Sequence, residues 1–331
     1  MAGPARASEE GLIARYFAPL AGPGADGLRD DAAALTPAPG HDLVLTVDAV
    51  VAGIHYFAED PPASIARKAL GVNLSDIAAK GAVPRGFLLT LALPDDWTEA
   101  WLDGFAQGLG AAAAAAGCPL LGGDTVRSGG PALISVSAFG EVPTGTIVRR
   151  TTARAGDRIC VTGTIGDAAL GLRMRLEPDA PWASGLDPAQ RSELADRYLH
   201  PRPRLAAAPA VRRHATAAMD VSDGLAGDLA KMLGAGRTAR VAVADVPLSG
   251  AARSACAAEP ALIEAVLTGG DDYEILCTVA PERLEDLRAE AAAAGIAVAA
   301  IGTVTSGDGP PRFEMRDGAE RVFAAGAFSH F

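Results

Sequence analysis

Strands interleaved with helices in both halves of the chain predict a two-domain α/β (α+β) protein. Three observations carry this. The 331 residues are long for one compact core, since ordinary domains are shorter. Short apolar runs with the look of strands alternate with stretches of helical spacing along the whole length. That rhythm breaks at the polar stretch Val142–Gly156 (VPTGTIVRRTTARAG), which marks a domain boundary and divides the chain into 1–150 and 151–331.

Taken in order, Ser8-Glu9-Glu10 leads into a helix over Leu12–Leu20 with acids in its first turn. Leu43–Asp48 (LVLTVD) is a short strand ending in a carboxylate. Pro62–Lys80 carries Ile65, Leu70, Leu74 and Ile77 at helical spacing and stops at Gly81, a C-cap residue. Gly86–Leu93 is a strand, Trp97–Ala116 a helix closed by Gly117, and Leu120–Gly123 and Ala132–Gly140 are further strands. Beyond the boundary, strands are expected at Arg158–Thr162, Ala217–Val221, Ala239–Val243, Tyr273–Val279 and Ile296–Val304. Helices are expected at Asp167–Leu176, Ala189–Tyr198, Arg204–Arg213, Leu225–Leu233 and Glu282–Ala294.

Composition narrows the class. With 49% hydrophobic and 21% charged residues the chain has the balance of a folded protein. No apolar run reaches the roughly 18–20 residues needed to cross a bilayer, and the N-terminus lacks a signal peptide's basic and apolar regions. The net charge of −11 argues against a nucleic-acid or anionic-membrane surface, because both need clustered cations. Cys118, Cys160, Cys256 and Cys277 form no C-x-x-C pair and are expected as buried free thiols in a reducing compartment, the cytoplasm.

Carboxylates recur where apolar runs meet turns. Asp30-Asp31 precede an alanine run; Asp48 ends LVLTVD; Asp124 ends PLLGGD; Asp220 and Asp223 lie in MDVSDG; Asp271-Asp272 follow Thr-Gly-Gly; Asp76 sits in helical NLSD. Any one of them is explained by turn or cap chemistry. As a set they occupy the place where α/β sheets collect ligands, the carboxyl ends of strands. Converging acids repel unless cations neutralise them, and an oxygen-only donor set favours magnesium, calcium or manganese over zinc. Metal-bound nucleotide follows from this, with transfer of its terminal phosphate one step further.

Other phosphate-binding devices are sparse. There is no G-x-x-x-x-G-K-[ST] and no G-x-G-x-x-G between a strand and a helix. The turn Val161–Asp167 (VTGTIGD) either presents amides to an anion or is a tight strand–helix connection. Ser222 reads as the N-cap of a helix beginning near Gly224, with a phosphate contact as the alternative. Arg150 is a candidate phosphate partner or an ordinary surface arginine. His55 in VVAGIHYF, and the histidines elsewhere, show no metal-ligand spacing; Trp97, Trp101 and Trp182 read as packing residues.

The ordered motifs resemble a family. The series Asp30-Asp31-Ala-Ala, LVLTVDAVVAGIHYF, ALGVNLSDIAAKGAVPRGFLLTLALP, LLGGDT, MDVSDGL and TGGDDYEIL, spread from Gly11 to the C-terminal Ser-His-Phe, is similar to the thiamine-monophosphate kinases. These belong to the superfamily of aminoimidazole-ribonucleotide synthetase. NLSDIAAKGA marks the superfamily; VVAGIHYF with GGDDYE and the terminal aromatic segment marks the kinases. The resemblance implies an N-terminal ATP- and metal-binding domain that pairs with its twin in a homodimer, and a C-terminal α/β domain completing the site. It implies several Mg2+ ions held by Asp31, Thr46, Asp48, Asp76, Asp124, Asp220 and Asp223. ATP would meet Gly123, Asp124, Arg150 and Ser222, and thiamine monophosphate would meet His55, Asp271 and Phe328. The implied reaction is transfer of the γ-phosphate of ATP onto thiamine monophosphate, giving thiamine diphosphate, with no catalytic base, no nucleic acid and no membrane involved.

Three departures stand out. Arg29 replaces a usual Gly before Asp30-Asp31, Val47 a usual Thr between Thr46 and Asp48, and Asp271 a usual Glu. The rival readings are another ATP-using superfamily member, such as the synthetase, and a metal- or nucleotide-binding protein that has lost turnover.

Overall fold

The computed structural model describes residues 8–323. The chain divides into two units, one formed by the chain up to Ile77 with Val83–Gly145, the other by Ala78–Ala82 with the chain from Thr146 on.

The first unit opens on α1 (Glu9–Leu12), which widens into a π-turn at Ile13–Phe17 and tightens into a 3-10 turn at Ala18–Leu20. The single helix expected here is irregular because Pro19 has no amide to donate back along it. A four-stranded sheet follows in the order β1-β4-β2-β3. Its strands are β1 (His41–Val51), β2 (Val83–Leu93), β3 (Leu120–Arg127) and β4 (Leu133–Pro143). β4 runs antiparallel to β1 and β2, while β2 and β3 are parallel. α2 (Pro62–Ala79) and α3 (Glu99–Ala116) supply the helices. Thr98 caps α3 by accepting the Trp101 amide at 3.1 Å, and Gly117 ends it at φ +60°.

Strand alternation sorts this sheet into two unlike faces. Val44, Phe87, Leu89, Leu91, Ile134, Val136 and Ala138 are buried on one. On the other, Leu45 and Val47 remain 63% and 62% exposed, with Leu88 and Val126 also open to solvent.

The second unit holds a seven-stranded sheet in the order β11-β10-β7-β9-β5-β8-β6. Its strands are β5 (Arg158–Thr162), β6 (Ala215–Asp220), β7 (Arg237–Ala242), β8 (Ile275–Val279), β9 (Val298–Ser306), β10 (Arg312–Glu314) and β11 (Glu320–Arg321). Its helices are α4 (Asp167–Leu176), α5 (Pro181–Ser184), α6 (Pro188–Leu199), α7 (Ala208–His214), α8 (Leu225–Leu233), α9 (Gly250–Ala258), α10 (Leu262–Thr268) and α11 (Leu284–Ala293). β5, β8 and β6, at the centre and one edge, are almost wholly buried, and one core gathers Ile159, Val161, Leu170, Trp182, Leu229 and Ile301.

β8 starts at Ile275 instead of Tyr273, because Tyr273 takes φ +51° and sends its amide to the Val221 carbonyl. Helices α9 and α10, absent from the sequence reading, are short pieces separated by Pro260. All four cysteines are free thiols; Cys256 is partly exposed instead of buried, and Cys160 faces Cys277 across β5 and β8. Among the described residues no helix is long and apolar enough to cross a membrane.

Candidate functional site

In the first unit the Asn-Leu-Ser-Asp run lies on α2, where a spacing of three puts Asn73 and Asp76 on one helix face. Both reach β1. The Asn73 Oδ1 accepts the Asp48 amide at 2.9 Å, while its own amide donates to the Ala69 carbonyl at 3.0 Å. The Thr46 hydroxyl donates to Asp76 Oδ2 at 2.5 Å. Thr46 and Asp48 are two residues apart on one strand and share a face. Three of the expected ligands, Thr46, Asp48 and Asp76, are therefore brought together by one helix–strand contact. Val47 points to the opposite, exposed face, so its change from the family pattern leaves this patch alone.

A second group borders a cavity of about 760 Å3, lined by Asp31, Gly123 and Asp124 together with Thr90, Thr125 and Ser137. Gly123 belongs here for a steric reason: a Cβ would overlap the Leu89 carbonyl oxygen on the neighbouring strand. Asp30 accepts the Asp31 amide at 2.8 Å, which folds the first carboxylate back on the chain while Asp31 stays exposed. Arg29 turns its guanidinium back toward the Asp26 carbonyl at 3.4 Å. Register places Asp124 in a row with Thr90, Ser135 and Ala49, whereas Thr46 shares its row with the buried Ala138 and Phe87. The two groups thus belong to opposite faces of the sheet.

His55 follows β1 in a tight turn. It is half-buried, and its Nδ1 accepts the Val51 amide at 3.0 Å. That bond fixes the neutral ring's proton on Nε2.

In the second unit Asp220 ends β6 and is 6% exposed. The next residues are laced to the Gly-Gly-Asp-Asp-Tyr-Glu turn by three backbone bonds: Val221 to the Glu274 carbonyl, Asp271 to that of Ser222, and Tyr273 to that of Val221. Gly270 permits this approach, since a Cβ there would overlap the Ser222 carbonyl. Ser222 is not the N-cap of α8, as its sequence position suggested; Gly224 is. Asp228, inside the helix, takes the amides of Ser222 and Asp223 on one oxygen at 3.0 and 2.9 Å, which ties the turn before the helix to its first turns. Lys231 bridges Asp223 and Asp228. Burial pushes the Asp228 carboxyl above its usual range, with Lys231 opposing. Burial pulls the Lys231 ammonium down, but its bonds to Asp223 and Asp228 outweigh this and hold it above its ordinary value. Arg150 is exposed in a turn pinned beside β6, where the Ala218 amide donates to the Arg149 carbonyl at 3.1 Å. Phe328 lies outside the described residues.

The Asp271-Asp272 pair divides. Asp271 is half-buried at φ +71°; Asp272 is 1% exposed and accepts the Gly166 amide at 2.7 Å. The turn Val161–Asp167 is therefore a connection whose amide meets an internal carboxylate. Burial pushes the Asp272 carboxyl well above its usual range, with Asp167 and Glu274 adding to the rise and the Gly166 amide and Arg197 opposing it. Glu274, fully buried, is held by Thr162 at 2.7 Å, Arg197 at 2.8 Å and both arms of Arg204. Sequence reasoning missed Asp228, Lys231, Arg197, Arg204 and Glu274. Only the Asp228–Lys231 spacing of three signals a contact in advance.

Residues 29–142 match the family model described as AIR synthase related protein, N-terminal domain, and 154–311 the corresponding C-terminal domain. Thiamine-monophosphate kinase of Caulobacter vibrioides is 42% identical over 303 residues, covering 90% of this chain and 84% of that one. The chain belongs to the thiamine-monophosphate kinase family. Solved structures agree. The family's enzyme from Stenotrophomonas maltophilia K279a superposes with a TM-score of 0.78 at 36% identity, covering 87% of this chain and 90% of that one. AaThiL complexed with AMPPCP and TMP gives 0.76 at 30% identity, covering 91% of each chain.

No three acidic, His or Cys side chains among the described residues close into a metal site. Magnesium rarely needs such a cage: it is held by one or two carboxylates plus substrate phosphates and keeps several waters. The hard-oxygen pairs Thr46–Asp76 and Asp31 with Asp124, open and without nitrogen or sulfur donors, fit that mode.

Proposed function

We propose that this chain phosphorylates thiamine monophosphate with ATP, the step that completes thiamine diphosphate. The observation carrying this is similarity over nine-tenths of the chain to thiamine-monophosphate kinases, one of them solved with an ATP analogue and TMP together. A terminal oxygen of the acceptor phosphate attacks the γ-phosphorus of ATP. A new P–O bond forms to that oxygen as the bond to the β–γ bridging oxygen breaks, and ADP leaves. The acceptor oxygen is already ionised near neutral pH, so the chain supplies alignment and charge neutralisation instead of a base.

Gly123, Asp124, Arg150 and Ser222 bind ATP in this reading, Arg150 and the Ser222 hydroxyl meeting phosphate oxygens. Asp31, Thr46, Asp48, Asp76, Asp124, Asp220 and Asp223 hold Mg2+, which neutralises the phosphate chain. His55 presents its Nε2 proton to thiamine monophosphate, and Asp271 and Phe328 contact the same substrate. Residues 1–150 bind nucleotide and metal and pair two copies; residues 151–331 supply the remaining contacts. The pairing has physical support in the open apolar face carrying Leu45, Val47, Leu88 and Val126, since patches of this kind mark association surfaces. Mostly buried free thiols suit a reducing cytoplasm.

The deciding experiment incubates the protein with ATP, magnesium and thiamine monophosphate and follows thiamine diphosphate by chromatography. Product should depend on both ATP and magnesium, and unphosphorylated thiamine should be a poor acceptor. Efficient use of free thiamine, or full activity in excess chelator, overturns the reading.

A further inference from the structure

The Gly270–Glu274 turn holds two consecutive-but-one non-glycine residues, Asp271 and Tyr273, in the left-handed region at φ +71° and +51°. Each such residue costs on the order of 1 kcal/mol or more and persists only where its surroundings over-determine it. Here they do. The Asp271 and Tyr273 amides are tied to the Ser222 and Val221 carbonyls. From below, the 4%-exposed Arg197 donates through Nη2 to the Asp272 carbonyl at 3.4 Å and to Glu274 at 2.8 Å. From above, the Tyr273 hydroxyl donates to Asp271 Oδ1 at 3.2 Å. Asp272 points the other way, onto the Gly166 amide.

We infer that Tyr273 and Arg197 are positioning residues for thiamine monophosphate recognition, aiming the Asp271 carboxylate through the left-handed turn. This rests on the reading of Asp271 as a substrate contact. With the shorter Asp in place of the family's usual Glu, the carboxylate has one fewer rotatable bond, so its direction depends more on the backbone and on the Tyr273 hydroxyl. An aimed acceptor retains strength that a freely rotating one loses to ordering.

The test compares purified Tyr273→Phe, Arg197→Lys, Asp271→Ala and the double variant Asp271→Ala/Tyr273→Phe by steady-state kinetics with each substrate varied. Tyr273→Phe removes one hydroxyl and should raise KM for thiamine monophosphate about fivefold, the scale of one neutral-donor hydrogen bond, with kcat and the ATP KM within twofold. Arg197→Lys keeps a cation but loses the fork, and should move the same KM in the same direction. The double variant should be no worse than Asp271→Ala alone, because residues acting through one group do not add. If Asp271→Ala raises that KM and Tyr273→Phe does not, or if Tyr273→Phe shifts both substrates' KM equally, the positioning role is overturned and the substrate contact stands. If Asp271→Ala leaves the KM unchanged, the substrate contact itself falls and the inference with it. Should Arg197→Lys fail to fold, Tyr273→Phe alone decides.

Discussion

Two acid-bearing regions of this molecule differ in what surrounds their carboxylates. In the first unit Asp31, Asp48 and Asp124 are exposed, the last two within β1 and β3, and the Asp76 Oδ2 accepts only the Thr46 hydroxyl among the bonds described. In the second unit Asp167, Asp272 and Glu274 are buried to 1% exposure or less and locked to arginines, hydroxyls and an amide. An ionised carboxylate costs little in water and much in a low-dielectric core. The open acids retain capacity for a cation and a phosphate chain. The buried ones have spent theirs on the fold. The neighbours Asp271 and Asp272 show the contrast within two residues.

On that contrast, neutralising a buried acid costs stability and neutralising an open one costs turnover. The largest stability effect is expected at Glu274, the only carboxylate among the described residues bonded to both Arg197 and Arg204. Glu274→Gln takes the paired carboxylate from Arg204 and leaves Arg197 with the more distant Asp167 at 4.0 Å, a loss of about 3–5 kcal/mol. A denaturant titration should show the midpoint falling with the slope unchanged. A variant as stable as the wild type would mean the arginines are neutralised elsewhere.

Asp124→Asn and Asp220→Asn should do the converse, lowering turnover by about 100-fold or more at limiting magnesium with the circular dichroism spectrum unaltered. Asp220, at 6% exposure, is the harder test of the two, because it stands between the classes. Near wild-type turnover in either variant removes that residue from the metal set.

Much of the contrast is hidden in the sequence. Strand–helix alternation is legible, and so is the place of SDG between a strand and a helix, because Gly, Ser and Asp favour such places for backbone reasons; GGD and the LVLTVD aspartate, expected to end strands, lie instead inside β3 and β1. What periodicity cannot supply is register. Asp124 and Thr46 both terminate or punctuate apolar runs, yet the pairing of β1, β4, β2 and β3 assigns them to opposite faces. Nor does DDYE announce that its two aspartates diverge; that depends on a left-handed φ at Asp271 imposed by the Ser222 and Val221 carbonyls, about 50 residues away in the chain. Nor does the sequence show that Gly224 takes the N-cap position of α8 while Asp228, inside the helix, reaches back to the amides of Ser222 and Asp223.

A middle-sized effect is expected at Asp271. Loss of one charge-assisted hydrogen bond is worth roughly 1.5–3 kcal/mol, or about 10- to 150-fold. Asp271→Ala should therefore raise KM for thiamine monophosphate by that factor and spare the ATP KM, while Asp271→Glu retains activity. An alanine variant whose magnesium or ATP dependence changes instead would move Asp271 into the metal set.

The gentlest probe is Asp272→Asn. Burial, then the nearby Asp167 and Glu274, raise the Asp272 carboxyl well above its usual range against the pull of Arg197 and the Gly166 amide. The folded carboxyl therefore releases its proton at higher pH than the unfolded chain's, whose pKa is ~3.9. With the folded value raised, stability is fully present below the unfolded pKa and falls as pH rises toward the folded one, by at most about 1.4 kcal/mol per pH unit. Asparagine is neutral at every pH and keeps an oxygen for the Gly166 amide, so its stability lacks this slope. Unfolding curves taken from about pH 3 to 8 should show the variant closest to the wild type at the acid end, below the unfolded carboxyl's pKa of ~3.9, and gaining on it as pH rises above that value. A difference that stays flat across that range would mean Asp272 is ionised throughout, and that Arg197 neutralises it as fully as it does Glu274.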